Sequence, residues 1–259
     1  VVIKMQVLGL VGSPRKDGRT NRLVDAALAG AQSKGASTTK IYLVDYEIQP
    51  FKGRGGSTDA YRNCPEALSR LCEDADALVL GAPVYWGDIN GLTKDFMDTV
   101  RISTSSGKPA LGIAIAGGSG KGLISGVQSI YHFFFHKQMR GIDPTPVSRF
   151  NLDEAVAQLP ESGSRLVDLA AKAEPFIGAS WDDRWPDVVA YYTTVPYFDC
   201  GPLDEFVMLA RQLITTSKGQ DVAPAKAELD AALALIADGM RDEAARHAVR
   251  SYQLLFYSP

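Results

Sequence analysis

MQVLGLVGSPRKDGRTN, residues 5–21, is the stretch that decides the fold. An apolar run of strand length ends at Gly12. SPRKDGRTN (13–21) follows at once, a loop of hydroxyls, amide and positive charge, and helical spacing then places Leu23, Ala26, Ala27 and Leu28 on one face of a helix over 20–34. A strand covered on both faces reads as a continuous apolar run, and strand, turn and helix together form the unit from which parallel sheets are built. The turn also carries chemistry. The free N–H groups at a helix start, with the positive end of its dipole, favour an anion. Ser13, Thr20 and Asn21 add hydrogen-bond donors, and Arg15, Lys16 and Arg19 add charge. This composition suits a phosphate monoester. It suits an ordinary capped turn with solvated basic side chains equally well, and the loop by itself does not choose between them.

Two common nucleotide motifs are excluded. A P-loop requires Gly-Lys followed by Ser or Thr, whereas no Gly-Lys pair follows Gly12 and the later pair Gly120-Lys121 is followed by Gly122. A dinucleotide fingerprint requires GxGxxG after the first strand, whereas Gly9 and Gly12 are followed by Ser13-Pro14. The remaining reading is a loop that holds phosphate with side chains as well as backbone.

Outward from this unit the alternation continues. Strands are expected at 38–45, 75–83, 108–118 and, more weakly, 144–150, and helices at 65–73, 91–100, 123–139 and 162–178. The pattern predicts an α/β fold, a doubly wound five-stranded parallel sheet of order 2-1-3-4-5. From Trp181 the strand signal disappears. Helical periodicity at 202–217, 223–238 and 241–256, broken by Gly201-Pro202, Gly219 and Gly239, predicts an α-helical C-terminal extension. The expected division is therefore a sheet domain over 1–178 and a helical extension over 179–259, the latter packed on the sheet domain or on a second subunit.

Composition bounds the partners. The chain has 259 residues, 46% hydrophobic and 22% charged, with a net charge of −3. That charge gives no basis for nucleic acid or an anionic membrane as partner, and no apolar run approaches the roughly 20 residues of a membrane span. The small-molecule class is the expectation. No secretion signal is evident, and three cysteines suit a reducing compartment; the expected location is the cytoplasm.

In an open α/β sheet, ligands bind outside the carboxyl ends of the strands, where strand order reverses. The loops after strands one, three and four therefore belong together: SPRKDGRTN (13–21), APVYWGDINGLTKDF (82–96) and AGGSGKG (116–122). In the second, Pro83 stiffens the backbone and Tyr85-Trp86 present flat faces to a flat ring. The backbone near Trp86, Gly87 and Asp88 offers hydrogen bonds to the edge of such a ring. In the third, Gly117 and Gly118 let backbone approach a planar ligand closely. The competing reading is core packing for the aromatics and a tight turn for the glycines. Its weakness is that all three loops fall at one end of one sheet.

GSPRKDGRTNRLVDAAL, GAPVYWGDINGLTKDFMD and AIAGGSGKG resemble the three FMN loops of the flavodoxin-like NAD(P)H-dependent FMN reductase superfamily, and within it the iron–sulfur flavoprotein branch. The resemblance covers about residues 5–178. It implies FMN as cofactor, with Ser13, Arg15, Thr20 and Asn21 on its phosphate. Pro83, Val84, Tyr85, Trp86, Gly87, Asp88 and Ile89 would line the ring on one side, and Ala116, Gly117 and Gly118 on the other. It implies hydride transfer from NADPH or NADH through the flavin to a quinone, free flavin, metal ion or nitro/azo compound. The alternatives are a non-enzymatic FMN electron carrier or redox partner, and a fold repurposed for binding or assembly. No side chain is assigned a proton-transfer role; Tyr85 is the nearest candidate and suits stacking better. The resemblance also implies a homodimer or homotetramer, for which the apolar stripes Phe206, Leu209, Leu213, Leu254 and Phe256 of the extension are the expected interface.

One departure is specific. The iron–sulfur branch carries C-x2-C-x2-C and a fourth cysteine after strand two, where this chain has Phe51, Arg54 and Ser57, leaving Cys64. A [4Fe–4S] cluster takes four thiolates, and Cys64, Cys72 and Cys200 are too few, so the expectation is no iron–sulfur cluster. His132 and His136 stand at metal-binding helical spacing, but with no acidic partner among the three intervening phenylalanines; packed histidines are expected and no metal site.

Overall fold

The computed structural model of the chain describes residues 4–51, 63–103 and 105–257. The sheet domain contains β1 (Gln6–Val11), α1 (Arg19–Ser33), β2 (Ser37–Tyr42), α2 (Glu66–Asp74), β3 (Ala77–Tyr85), β4 (Asp88–Ile89), α3 (Gly91–Thr99), β5 (Pro109–Ala116), α4 (Leu123–His136), β6 (Arg140–Ser148) and α5 (Leu152–Lys172). Four helices follow: α6 (Trp185–Tyr192), α7 (Pro202–Thr216), α8 (Val222–Ala237) and α9 (Arg241–Phe256). Five parallel strands run in the order β2-β1-β3-β5-β6, and the two-residue β4 pairs antiparallel to β3. This is the expected flavodoxin-like topology, with β5 and β6 as the fourth and fifth parallel strands.

Alternation along the strands assigns each side chain to a face. Val7, Val11, Val79, Leu111 and Ile113 share one core with Leu23, Val24 and Leu28 of α1 and Leu159 and Leu166 of α5. Leu8, Leu10, Leu78 and Leu80 share the other with Leu68, Phe96, Tyr131 and Phe134 of α2, α3 and α4. Val188 and Tyr192 of α6 belong to this second core as well. Val188, Tyr192 and Val195, which follow residue 178, are thus buried in the sheet core.

Two elements lie elsewhere than the pattern suggested. The weak strand expected at 144–150 is β6, Arg140–Ser148. Its signal is broken by Pro144 and Pro146, which an edge strand tolerates because its outer N–H groups have no strand to pair with, and its register with β5 shifts between Leu111 and Ile113. The helix expected at 162–178 is α5, Leu152–Lys172, which runs through Pro160. Asp153 and Glu154 in its first turn favour the earlier start. A Cβ on Gly30 of α1 would overlap the Pro160 carbonyl, and one on Gly163 would overlap the Ala27 carbonyl. The two helices therefore meet backbone to backbone around the proline.

No helix among the described residues is long and apolar enough to cross a membrane.

Candidate functional site

The three loops emerge together at the carboxyl ends of β1, β3 and β5, and side chains lock each pair. The first and second meet at Gly12. Its carbonyl accepts a hydrogen bond from Asn90 Nδ2 at 2.9 Å, and Thr93 Oγ1 lies 3.3 Å from the same oxygen and 2.7 Å from Asn90 Oδ1. Both side chains are buried. The first and third are joined by Arg19, whose guanidinium donates to the Gly117 carbonyl at 3.1 Å. The second and third are joined by Ser125 Oγ, which donates to the Gly87 carbonyl, and by Ser129 Oγ, which donates to Asp88 Oδ1 at 2.6 Å. Gly122 sits so close that a Cβ there would stand 2.6 Å from Gly87 Cα, at a φ of +90°.

The first loop fits a phosphate monoester. Helix α1 opens on Gly18 with no capping side chain and no acidic residue in its first turn, so its leading N–H groups and positive end are open to an anion. Ser13 and Thr20 are buried beside it. Of the loop's cations, Lys16 is paired with Asp45 at 2.5 Å and Arg19 is committed to Gly117. Arg15 is exposed and has no ion pair among the described residues. Asn21 is placed differently from the expectation. Its amide donates to Asp25 Oδ2 at 2.9 Å, and its carbonyl accepts from Lys40 Nζ at 2.8 Å and Tyr42 Oη at 3.0 Å. Its side chain serves the join between α1 and β2; its backbone N–H still belongs to the open first turn.

The second loop is a two-residue hairpin between β3 and β4. Tyr85 pairs with Asp88, leaving Trp86 and Gly87 at the tip with φ of 55° and 89°. Two left-handed residues in succession make the tight turn that matches strand twist. Tryptophan is an unusual occupant of that conformation. It is fully exposed, at 105%, and Tyr85 beside it is exposed at 50%. Pro83, Val84 and Ile89 face inward instead: Pro83 is buried and pairs with Ile115, Ile89 is in the core, and Val84 packs against it. Asp88 spends one carboxylate oxygen on Ser129 and on the Ile89 N–H. Of the residues expected around a ring, those that reach the surface here are Tyr85, Trp86, Gly87 and Asp88. In the third loop Ala116 is buried at the strand end, Gly117 is half-buried, and Gly118 is exposed with open space where a Cβ would stand. A planar ligand approaching there meets backbone alone.

The other candidates are accounted for by packing. The ring of His132 lies edge-on to Phe198 at 4.9 Å, and burial, with His136 nearby, lowers its pKa. His136 packs on Phe135 and Trp185. Cys64 and Cys72 lie in the main core, where burial raises both thiols, Cys72 to about 12. Arg54 and Ser57, at two of the expected cysteine positions, lie outside the described residues. Asn90, Thr93, Arg19, Ser125 and Ser129 tie the loops together, and only Arg19 stood out beforehand. Asn90 carried a signal as a residue preceding a helix, but its side chain crosses to Gly12 rather than capping α3.

Residues 5–148 match the model of the family described as NADPH-dependent FMN reductase. An iron–sulfur flavoprotein of Methanocaldococcus jannaschii is 32% identical over 154 residues, covering 54% of this chain and 79% of that protein. Another, from Archaeoglobus fulgidus, is 30% identical over 125 residues, covering 45% of this chain and 57% of that protein. An NADPH azoreductase of a Bacillus species is 31% identical over 128 residues, covering 49% of this chain and 67% of that protein. Among solved structures, an oxidoreductase of Corynebacterium diphtheriae superposes with a TM-score of 0.52 at 14% identity, over 66% of this chain and 99% of that one, a likeness of fold. With just over half of its length matched, and with three interlocked loops at the ligand-binding end of the sheet, the chain belongs to the NADPH-dependent FMN reductase family.

Proposed function

We propose that this chain binds FMN across its three loops and passes hydride from NADPH or NADH to a second acceptor of the quinone, flavin, metal-ion or nitro/azo class. The observation that carries this is the open, uncapped start of α1 beside Arg15, which has no ion pair among the described residues, at the end of the sheet where Trp86 and Gly118 also reach the surface. Bound flavin supplies the hydride-accepting chemistry, and the protein supplies position and electrostatics. In this reading the hydroxyls of Ser13 and Thr20, the first N–H groups of α1 and the Arg15 guanidinium hold the phosphate. Tyr85 and the backbone of Trp86 and Gly87 border the ring on one side, and Gly117 and Gly118 on the other. Trp86 flanks the face on which a nicotinamide stacks.

The test is the visible spectrum of the FMN-loaded chain under anaerobic conditions, followed by stopped flow with NADPH and with NADH. The flavin band should bleach within a catalytically useful time. A chain that holds FMN but is bleached by neither cofactor is an electron carrier instead. The same preparation should contain no stoichiometric iron, since three cysteines fall short of the four thiolates of a cluster.

Trp86 separates stability from function. An Asn-Gly pair suits the turn far better than Trp-Gly, and relief of the left-handed strain is worth about 1 kcal/mol. Trp86→Asn should raise the urea midpoint while slowing hydride transfer more than it weakens FMN. A lower midpoint would show that Trp86 is held by contacts that the exposed ring does not display.

A further inference from the structure

The third loop is held from outside the matched region. Glu205, in α7, places Oε1 2.8 Å from the Gly122 nitrogen and Oε2 3.1 Å from the Ile124 nitrogen, accepting both N–H groups. Gly122 is the N-cap of α4 and has no side chain of its own to offer. The capping carboxylate thus comes from another helix, which stands 83 residues further along the chain.

Neighbouring contacts repeat the theme. Tyr252 of α9 donates from Oη to the Ser119 carbonyl at 2.8 Å, and its pKa, raised to about 12 mainly by burial, keeps that proton in place. Leu209 fills the space beside Gly120, where a Cβ would stand 2.5 Å from its methyl. The Lys121 ammonium lies 5.6 Å from the ring centres of both Phe206 and Tyr252. Arg241 at the start of α9 pairs with Asp204, the residue before Glu205, at 3.1 Å. The loop from Ser119 to Ile124 is therefore gripped along its length by α7 and α9.

We infer that the C-terminal helices are an internal clamp on the ring-binding loops, with Glu205 as the positioning residue. The inference rests on the FMN reading of those loops. The first turn of α4 also carries the hairpin, because Ser125 bonds the Gly87 carbonyl and Gly122 abuts Gly87. Glu205 thus sets the positions of Gly118 and of Trp86 together. Its charge has a second effect. A carboxylate at the start of α4 offsets the positive end of that helix, an end that would otherwise favour the electron-rich reduced flavin.

Wild type, Glu205→Gln and Glu205→Ala of the full chain test this with three readouts. Amide hydrogen exchange at Gly122 and Ile124, measured without FMN, should be about tenfold faster in Glu205→Ala. FMN affinity, from quenching of flavin fluorescence, should fall about tenfold in the same variant. Glu205→Gln keeps the size, loses the charge and gives up one of the two N–H bonds, because an amide has a single acceptor oxygen. It should bind reduced FMN relatively more tightly by about fivefold, which raises the midpoint potential by about 20 mV for a two-electron couple. A merely structural role would leave that potential unmoved. Unchanged exchange in Glu205→Ala overturns the clamp. Faster exchange with unchanged affinity and potential overturns its bearing on the flavin. A wild-type chain that takes up no FMN overturns the inference through the reading beneath it, and the FMN-free exchange rates tell that failure apart from an absent clamp.

Discussion

Riboflavin should bind this chain at least tenfold more weakly than FMN, and Arg15→Ala should weaken FMN by about 10- to 150-fold while leaving riboflavin nearly unaffected. The basis is the division of labour among the loop's cations. Lys16 is paired with Asp45 and Arg19 is bonded to the Gly117 carbonyl. Arg15 has no ion pair among the described residues, so its charge is available to a phosphate. A charge-assisted hydrogen bond is worth about 1.5–3 kcal/mol, and each 1.4 kcal/mol is about tenfold in affinity. Calorimetry on wild type and variant with the two ligands closes a thermodynamic cycle. The selective loss for FMN identifies the phosphate as the partner of Arg15. Equal binding of riboflavin and FMN by the wild type would refute the phosphate-loop reading, whatever the variant does.

Gly12→Ala should cost about 2–6 kcal/mol of stability and should also weaken FMN. A Cβ at Gly12 would overlap Thr93 Oγ1 and stand 3.0 Å from the Gly81 carbonyl. Thr93 is fully buried, so its side chain has little room to turn away. Overpacking of this kind costs about 1–3 kcal/mol. Displacing Thr93 also disturbs the bonds that Asn90 and Thr93 make with the Gly12 carbonyl, and a buried polar group left unsatisfied costs about 1–3 kcal/mol more. Urea unfolding measures the loss. Thr93→Ala in the same chain should restore part of it, because it removes the colliding atom, and the non-additivity of the pair is the signature of direct contact. A Gly12→Ala chain as stable as wild type would mean that the first two loops are not coupled at this point.

The assembly role expected of the C-terminal extension loses its original support. Leu209 and Leu213 are buried against Ala116, Leu123 and Ile124, and Phe206, Leu254 and Phe256 pack on the same cluster. Within one chain these stripes are covered fully at Leu209 and Leu213 and in part at Phe206, Leu254 and Phe256. Amphipathic spacing reports that a face is covered without reporting by what. The same limit explains β6 and α5. Proline weakens both local signals, but an edge strand can spare the missing donor, and a helix can pass through a proline when glycines let its neighbour close around the gap.

Much of the architecture was already legible in the chain. Apolar runs within 5–12, 75–83 and 108–118 read as strands covered on both faces, and their alternation with helical spacing pointed to a parallel sheet. That topology placed SPRKDGRTN, APVYWGDINGLTKDF and AGGSGKG at one end, because every parallel strand delivers its following loop to the same side. What each residue does there depended on contacts between segments far apart in sequence. Asn21 turned to Lys40 and Tyr42, Pro83 and Ile89 turned inward, and Asn90 reached across to Gly12. Glu205 came from the extension to cap a helix that begins with glycine. Periodicity and local motif are properties of one segment. A hydrogen bond spanning 83 residues exists only once the chain has folded and brought its two ends together.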